Sequence, residues 1–208
     1  MSNDFPDHFS GHADAYAANR PADYPQSLID FLADAAPAHD LAWDAATGNG
    51  QAAIRLAERF ERVVATDASA QQLAQARRHP RIEYRTAVSE RTDLEDGCAA
   101  LTTAAQALHW FDFERFFAEV RRVSRPRAIF AAWTYDMAHI TPAVDAEIHR
   151  LAKETVGPYW PPERIWVDEG YKTIPFPFEE LAAPRFEMPA SWSLDRYLAY
   201  VRTWSAVK

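Results

Sequence analysis

"WDAATGNGQAA" runs from Trp43 to Ala53, and its reading decides the fold. It begins inside an apolar run, LAWDAA (41–46), which carries one charge, Asp44. Two glycines, Gly48 and Gly50, flank an asparagine, and alanine-rich sequence follows. A short apolar run stopped by glycines predicts a buried strand. Ala53, Ile54, Ala57 and Phe60 recur at helical spacing, which predicts a helix over 51–60. Glycines carry no Cβ, so the link between strand and helix can pass close to a ligand. RVVATD (62–67) predicts a second strand that ends in Asp67. A carboxylate there can accept both hydroxyls of a ribose.

The pattern repeats outward from this unit. IEYRT (82–86), CAALTTAAQ (98–106) and AIFAAWTY (128–135) predict three further strands. Between them, Ser69 and Gln72 form a capping box. Asp112 caps a helix whose Phe113, Phe116, Phe117, Val120 and Val123 share a face. Alternating strands and helices mean βαβ units, hence an α/β fold with a mostly parallel sheet and helices on both faces. Ahead of it, Pro25 opens a helix that buries Leu28, Phe31 and Leu32. Behind it the rhythm breaks. A helix is expected over 142–156, then an irregular aromatic stretch, GPYWPPERIWVDEGYKTIPFPF (157–178), as a lid over the ligand edge. FEMPASWS (186–193) is expected as a sixth strand and 194–204 as a helix. Residues 1–208 then form one domain. It comprises an N-terminal leader and helix (1–40), a cofactor-binding core (41–135), and a lid with a C-terminal edge (136–208).

Composition narrows the partners. Of 208 residues, 48% are hydrophobic and 25% charged, which is globular composition. A net charge of −8 without a basic run argues against a nucleic-acid backbone. The single cysteine, Cys98, excludes an internal disulfide and a cysteine metal cluster. His8 and His12 have helical spacing but no third ligand, so no metal is expected. No apolar stretch is long enough for a membrane span, and the N-terminus lacks a signal-peptide pattern, so a cytoplasmic setting is expected.

In open α/β sheets ligands lie beyond the carboxyl ends of the strands. Two cofactors compete for that place. A dinucleotide loop needs a third glycine, where this chain has Ala53, and Asp44 would repel a pyrophosphate. The same carboxylate suits a cofactor with an amino group and a sulfonium. The loop therefore favours S-adenosylmethionine over NAD.

The chain resembles class I S-adenosylmethionine-dependent methyltransferases of the type 11 group, which includes trans-aconitate methyltransferase-like proteins. The resemblance rests on HADAYAANRPADYP (12–25), WDAATGNGQ, VVATDAS, SERTDLEDG (89–97), AAQALHWFD (104–112) and EVRRVSRP followed by AIFAAWTY. It implies a Rossmann-like, doubly wound fold and methyl transfer to a small-molecule acceptor, with a carboxylic acid favoured. By resemblance, Tyr16 sits in a leader over the cofactor and Asp44 holds the methionine amino group. Ala46 replaces the loop's first glycine, and the backbone from Gly48 to Gly50 lines the methionine portion. Asp67 takes the ribose, Ala68 and Leu73 flank the adenine, and Ser89 and Glu90 approach its edge. Gln106 leaves the fourth strand beside the cofactor.

On the acceptor side two readings stand for each residue. His109 orients the acceptor or removes its proton, or is a structural histidine. Arg20 clamps a carboxylate, or bridges the leader to the domain. Trp110, Tyr159, Trp160 and Trp166 wall the acceptor pocket, or serve core packing. The rival reading of the whole is a noncatalytic binding module on the same fold. Ala100 stands where the group's fourth strand has an aspartate, and Arg127 and Ala128 replace a glycine pair. The group also continues beyond the W-S-A motif into a last strand, which predicts a homodimer through an open C-terminal sheet edge.

Overall fold

The computed structural model describes residues 24–207. Five parallel strands form one sheet: β1 (Leu41–Ala45), β2 (Arg62–Asp67), β3 (Ile82–Thr86), β4 (Ala99–Ala105) and β5 (Ser124–Trp133). Their order is β3-β2-β1-β4-β5, so the chain reverses direction across the sheet at β1. Helices α1 (Gln26–Ala35), α2 (Gln51–Leu56), α3 (Ala70–Ala74) and α4 (Phe113–Val123) belong to the core. Beyond it come α5 (Pro142–Arg150), a π turn (Leu151–Thr155), α6 (Arg164–Asp168) and α7 (Leu194–Val201). Pro25 is the cap before α1 rather than its first residue, and α2 ends at Leu56, where a looser turn carries the chain to Phe60.

Strand alternation divides the core. Leu41, Trp43 and Ala45 face one layer with Phe116, Phe117, Val120 and Val123 of α4. Ala42 faces the other, with Leu28, Ile29 and Leu32 of α1 and Leu56 of α2. Every residue of β1 is buried, as a central parallel strand requires. Each fully buried large aliphatic or aromatic side chain contributes about 1.5–3 kcal/mol. Trp43 is fully buried and donates its indole N–H to Thr66 Oγ1 at 2.9 Å, so its one polar atom is satisfied. Ala100, lacking the aspartate of the resembling group, is fully buried in the α1–α2 layer. A carboxylate at that place would be charged in an apolar core.

Three expectations change. FEMPASWS forms no strand. It runs as irregular chain, with Phe186 and Met188 packed against the α1–α2 layer and Phe186 5.7 Å from Phe31. Pro189 lacks a backbone donor, which disfavours a ladder there. The 157–178 stretch is partly ordered: α6 forms within it, and Val167, Tyr171 and Ile174 join the α4 layer as core. Finally, β5 begins earlier than expected, at Ser124, and its pairing with β4 slips. Ala99 faces Ser124 while Leu101 faces Ile129. The slack is taken up around Arg127, which adopts the left-handed φ of +65° that glycine would take at no steric cost.

Candidate active site

Two cavities open beyond the carboxyl ends of the strands. The first, about 100 Å³, runs from the loop after β1 to the loop after β3. The second, about 60 Å³, lies toward β5 and the 157–178 segment. They share Gln106, Trp110 and Tyr135, so one wall separates, or joins, two ligand spaces.

The floor of the first cavity is Asp44, which is 1% exposed. Thr47 Oγ1 donates to its Oδ2 at 2.5 Å and Thr103 Oγ1 to its Oδ1 at 2.7 Å. Burial nevertheless dominates and pushes its carboxyl up to about 6, with the nearby Asp67 charge acting in the same direction. Asp67 accepts from the Gly48 amide and the Ser69 amide, each at 2.8 Å. It thus ties the β1 loop to the end of β2, and its oxygens retain lone pairs for further donors. Gly48 takes φ +58°. Gly50 takes φ +85°, and a Cβ there would overlap the Tyr84 hydroxyl. Ala46 adopts φ +50° in the place of a glycine, a conformation that costs an alanine about 1–2 kcal/mol. Ala46, Gly48, Asp67, Ala68, Ser89, Glu90 and Gln106 all line this cavity. Gly50 caps α2 at its edge. Leu73 is buried outside it, and its neighbour Gln72 lines it instead. Glu90 also accepts the Asp112 amide at 3.1 Å, which fastens the β3 loop to the start of α4.

The shared wall is rigidly held. Gln106 has φ +56°, donates from Nε2 to Tyr135 O at 2.9 Å and accepts from Thr134 Oγ1 at 2.9 Å. On the far side His109 is 8% exposed, and its Nδ1 lies 2.7 Å from the Tyr171 hydroxyl. Tyr171 is held at φ +62° immediately after Gly170 at φ +59°, where α6 ends with the Tyr171 amide bonded to Trp166 O. Trp160 lines the second cavity and donates to Ala152 O at 2.8 Å. The Arg164 guanidinium lies 4.4 Å from its ring centroid, paired with Asp136 at 2.6 Å and Asp168 at 2.7 Å.

The structure does not bring every expected residue here. Tyr159 is 71% exposed, and Trp166 packs edge-on against Phe113 at 5.4 Å; neither lines either cavity. The first ends a 3-10 turn, Gly157–Tyr159, and is turned to solvent, and the second packs against the α4 layer. Tyr16 and Arg20 lie outside the described residues. Sequence reasoning missed Thr47, Thr103, Gln72, Tyr135, Arg164 and Tyr171. None of them carries a local signal: Thr103, for one, meets Asp44 only through the parallel register of β1 with β4. Among the described residues no three His, Cys, Asp or Glu side chains gather as a metal site, and no helix is long and apolar enough to cross a membrane.

The site suits S-adenosylmethionine on its own residues: a buried carboxylate for an ammonium, a second for ribose hydroxyls, and a loop with two glycines between them. Residues 43–132 match the family model described as a methyltransferase domain. A candidate methyltransferase of Dictyostelium discoideum is 34% identical over 206 residues, 97% of this chain and 78% of that protein. An uncharacterised methyltransferase of Mycobacterium tuberculosis is 36% identical over 119 residues, 57% of this chain and 48% of its own. Among solved structures, a candidate type II methyltransferase from Anaeromyxobacter dehalogenans is 49% identical. It superposes with a TM-score of 0.84 over 90% of this chain and 80% of that one. With such identity sustained along nearly its whole length, and the aspartate–glycine loop inside the matched domain, the chain belongs to the S-adenosylmethionine-dependent methyltransferase family.

Proposed function

We propose that the protein methylates a small carboxylic acid held in the second cavity. The observation that carries this reading is the shared wall of Gln106, Trp110 and Tyr135, across which a donor in one cavity meets an acceptor in the other. S-adenosylmethionine supplies a methyl group already activated by its sulfonium. The chain's own work is placement. Asp44 holds the methionine ammonium, and the Gly48–Gly50 backbone lets the chain approach. Asp67 receives the ribose hydroxyls, and Ala68, Ser89 and Glu90 border the base. Lining up the two reactants ahead of the reaction removes much of the entropic barrier, so no catalytic dyad is needed.

A carboxylate acceptor needs a cation more than a base. Arg164 stands in the cavity with its planar guanidinium stacked on Trp160, suited to bidentate pairing. Of its two present partners, Asp136, also in the cavity wall and half exposed, is the group an acid would displace, while Asp168 stays paired. His109 sits opposite, held by Tyr171, and serves as hydrogen-bond donor to the acid or as base to an oxygen or nitrogen acceptor. The reading extends to a cytoplasmic setting, consistent with the lone Cys98, and to self-association through β5, which among the described residues has a ladder to β4 alone.

The test has two stages. Calorimetry compares S-adenosylhomocysteine with NAD; binding of NAD alone overturns the cofactor assignment. Radiolabelled donor then screens acids, phenols and amines. Turnover of an acid that falls at least tenfold in Arg164→Ala supports the acceptor class. Turnover of a phenol or amine that depends on His109 and not Arg164 replaces it. Tight cofactor binding with no acceptor turned over would return the noncatalytic reading.

A further inference from the structure

We infer that Gln72 reads the nucleobase of the cofactor, and that its side-chain amide pairs with the adenine edge. This rests on the cofactor assignment above.

The order of the strands gives the cofactor a direction. The reacting methyl must lie at the wall shared with the second cavity, which belongs to the ends of β4 and β5. Asp67, at the end of β2, is two strands away from β4, and the Val88–Glu90 loop after β3 lies one strand further. A ribose at Asp67 therefore directs its base away from the methyl, toward Ser69, Gln72, Val88 and Ser89. These four residues form the far end of the first cavity.

Gln72 is unusual in that group. It is 3% exposed, lines the cavity, and its Oε1 has no hydrogen-bond partner. A buried amide oxygen without a donor is unfavourable unless a ligand satisfies it. Its position is fixed, because α3 is capped by Ser69 Oγ, which accepts the Gln72 amide at 3.3 Å. Adenine presents an amine donor at N6 beside an acceptor ring nitrogen at N7. A glutamine amide matches that pair with both its ends. Only one of the two amide orientations makes the pair, with Oε1 accepting from the N6 amine and Nε2 donating to N7.

The test is calorimetry of wild type and Gln72→Met with three ligands: S-adenosylhomocysteine, S-inosylhomocysteine, in which a carbonyl replaces the amine, and the 7-deaza analogue. Wild type is expected to prefer the adenosyl compound about tenfold or more over the other two. In Gln72→Met, which keeps length and helix propensity, affinity for the adenosyl compound falls about tenfold. Its affinity for the inosyl compound stays level, so the preference disappears. Retention of the full preference by a folded Gln72→Met overturns the proposal. If that variant does not fold, equal wild-type affinity for all three ligands overturns it by itself. Absence of S-adenosylhomocysteine binding to wild type is a different failure, since it removes the cofactor assignment first.

Discussion

Asp44 is a buried carboxyl at the floor of the first cavity, where its protonation bears on both stability and ligand binding. Burial raises its carboxyl to about 6 from an ordinary 3.8. Between those values the folded chain holds a proton at Asp44 that the unfolded chain has released, so the contribution of this group to stability falls as pH rises through that window. Above pH 6 an ionised Asp44 costs on the order of 3 kcal/mol. Asp44→Asn should therefore melt at higher temperature than wild type at pH 8 and show no such gain at pH 4. Ligand binding runs the other way, because an ammonium favours the ionised form. Affinity for S-adenosylhomocysteine should strengthen from pH 5 to pH 7 and then level off; a flat profile in calorimetry would remove Asp44 from the site. Asp67→Ala should weaken that ligand at least tenfold, since the variant loses both the ribose acceptor and the tether to Gly48. That Asp44, Gly48 and Asp67 would meet at one cavity was readable from sequence because it depends on position within one βαβ unit. Thr103 and Tyr171 were not: they meet Asp44 and His109 from 59 and 62 residues away, and no local pattern encodes that pairing.

The five strands and the helices between them followed from local periodicity, which buried parallel strands and amphipathic helices display directly. Elements governed by tertiary contact were harder. FEMPASWS has the composition of a strand, but Phe186 and Met188 find an apolar layer to pack on without a ladder. Trp166 looked like a pocket wall because aromatics in a proline-rich stretch read alike whether they face a ligand or a core. Arg127 gives the sharpest check at this scale. It is exposed and holds a left-handed φ at the slip between β4 and β5. Arg127→Gly relieves that strain but adds freedom to the unfolded chain, so the net gain should be about 0.5 kcal/mol, or roughly 1–2 °C in melting temperature. A lower melting temperature would mean that the arginine side chain stabilises the slip.

For the molecule as a whole, β5 has a ladder on its β4 side only among the described residues, and such an edge is a template for another chain. Light scattering at tens of micromolar should return twice the chain mass; a monomer there would exclude self-association by this edge. Trp110, Trp160 and Trp204 also line the paired cavities, so acceptor binding should change the intrinsic fluorescence of the cofactor-loaded protein, while Trp43, sealed in the core, stays silent. The central position of β1 has one more consequence, in the time domain. Its partner β2 follows after a single short helix, so that ladder closes over a small loop and can form early. Its other partner, β4, meets Asp44 through Thr103, 59 residues along, after β3 has already been laid down. Pairings of long sequence separation are slow, because the loop's entropy is lost before the contact is gained. Until β4 arrives, one flank of β1 stands open, and the Asp44 carboxylate remains in water with its ordinary proton affinity. The Asp44 carboxyl is thus perturbed only when β4 docks on β1, before β5 can pair with β4, and its uptake of a proton near pH 5 would report that step in a stopped-flow refolding experiment.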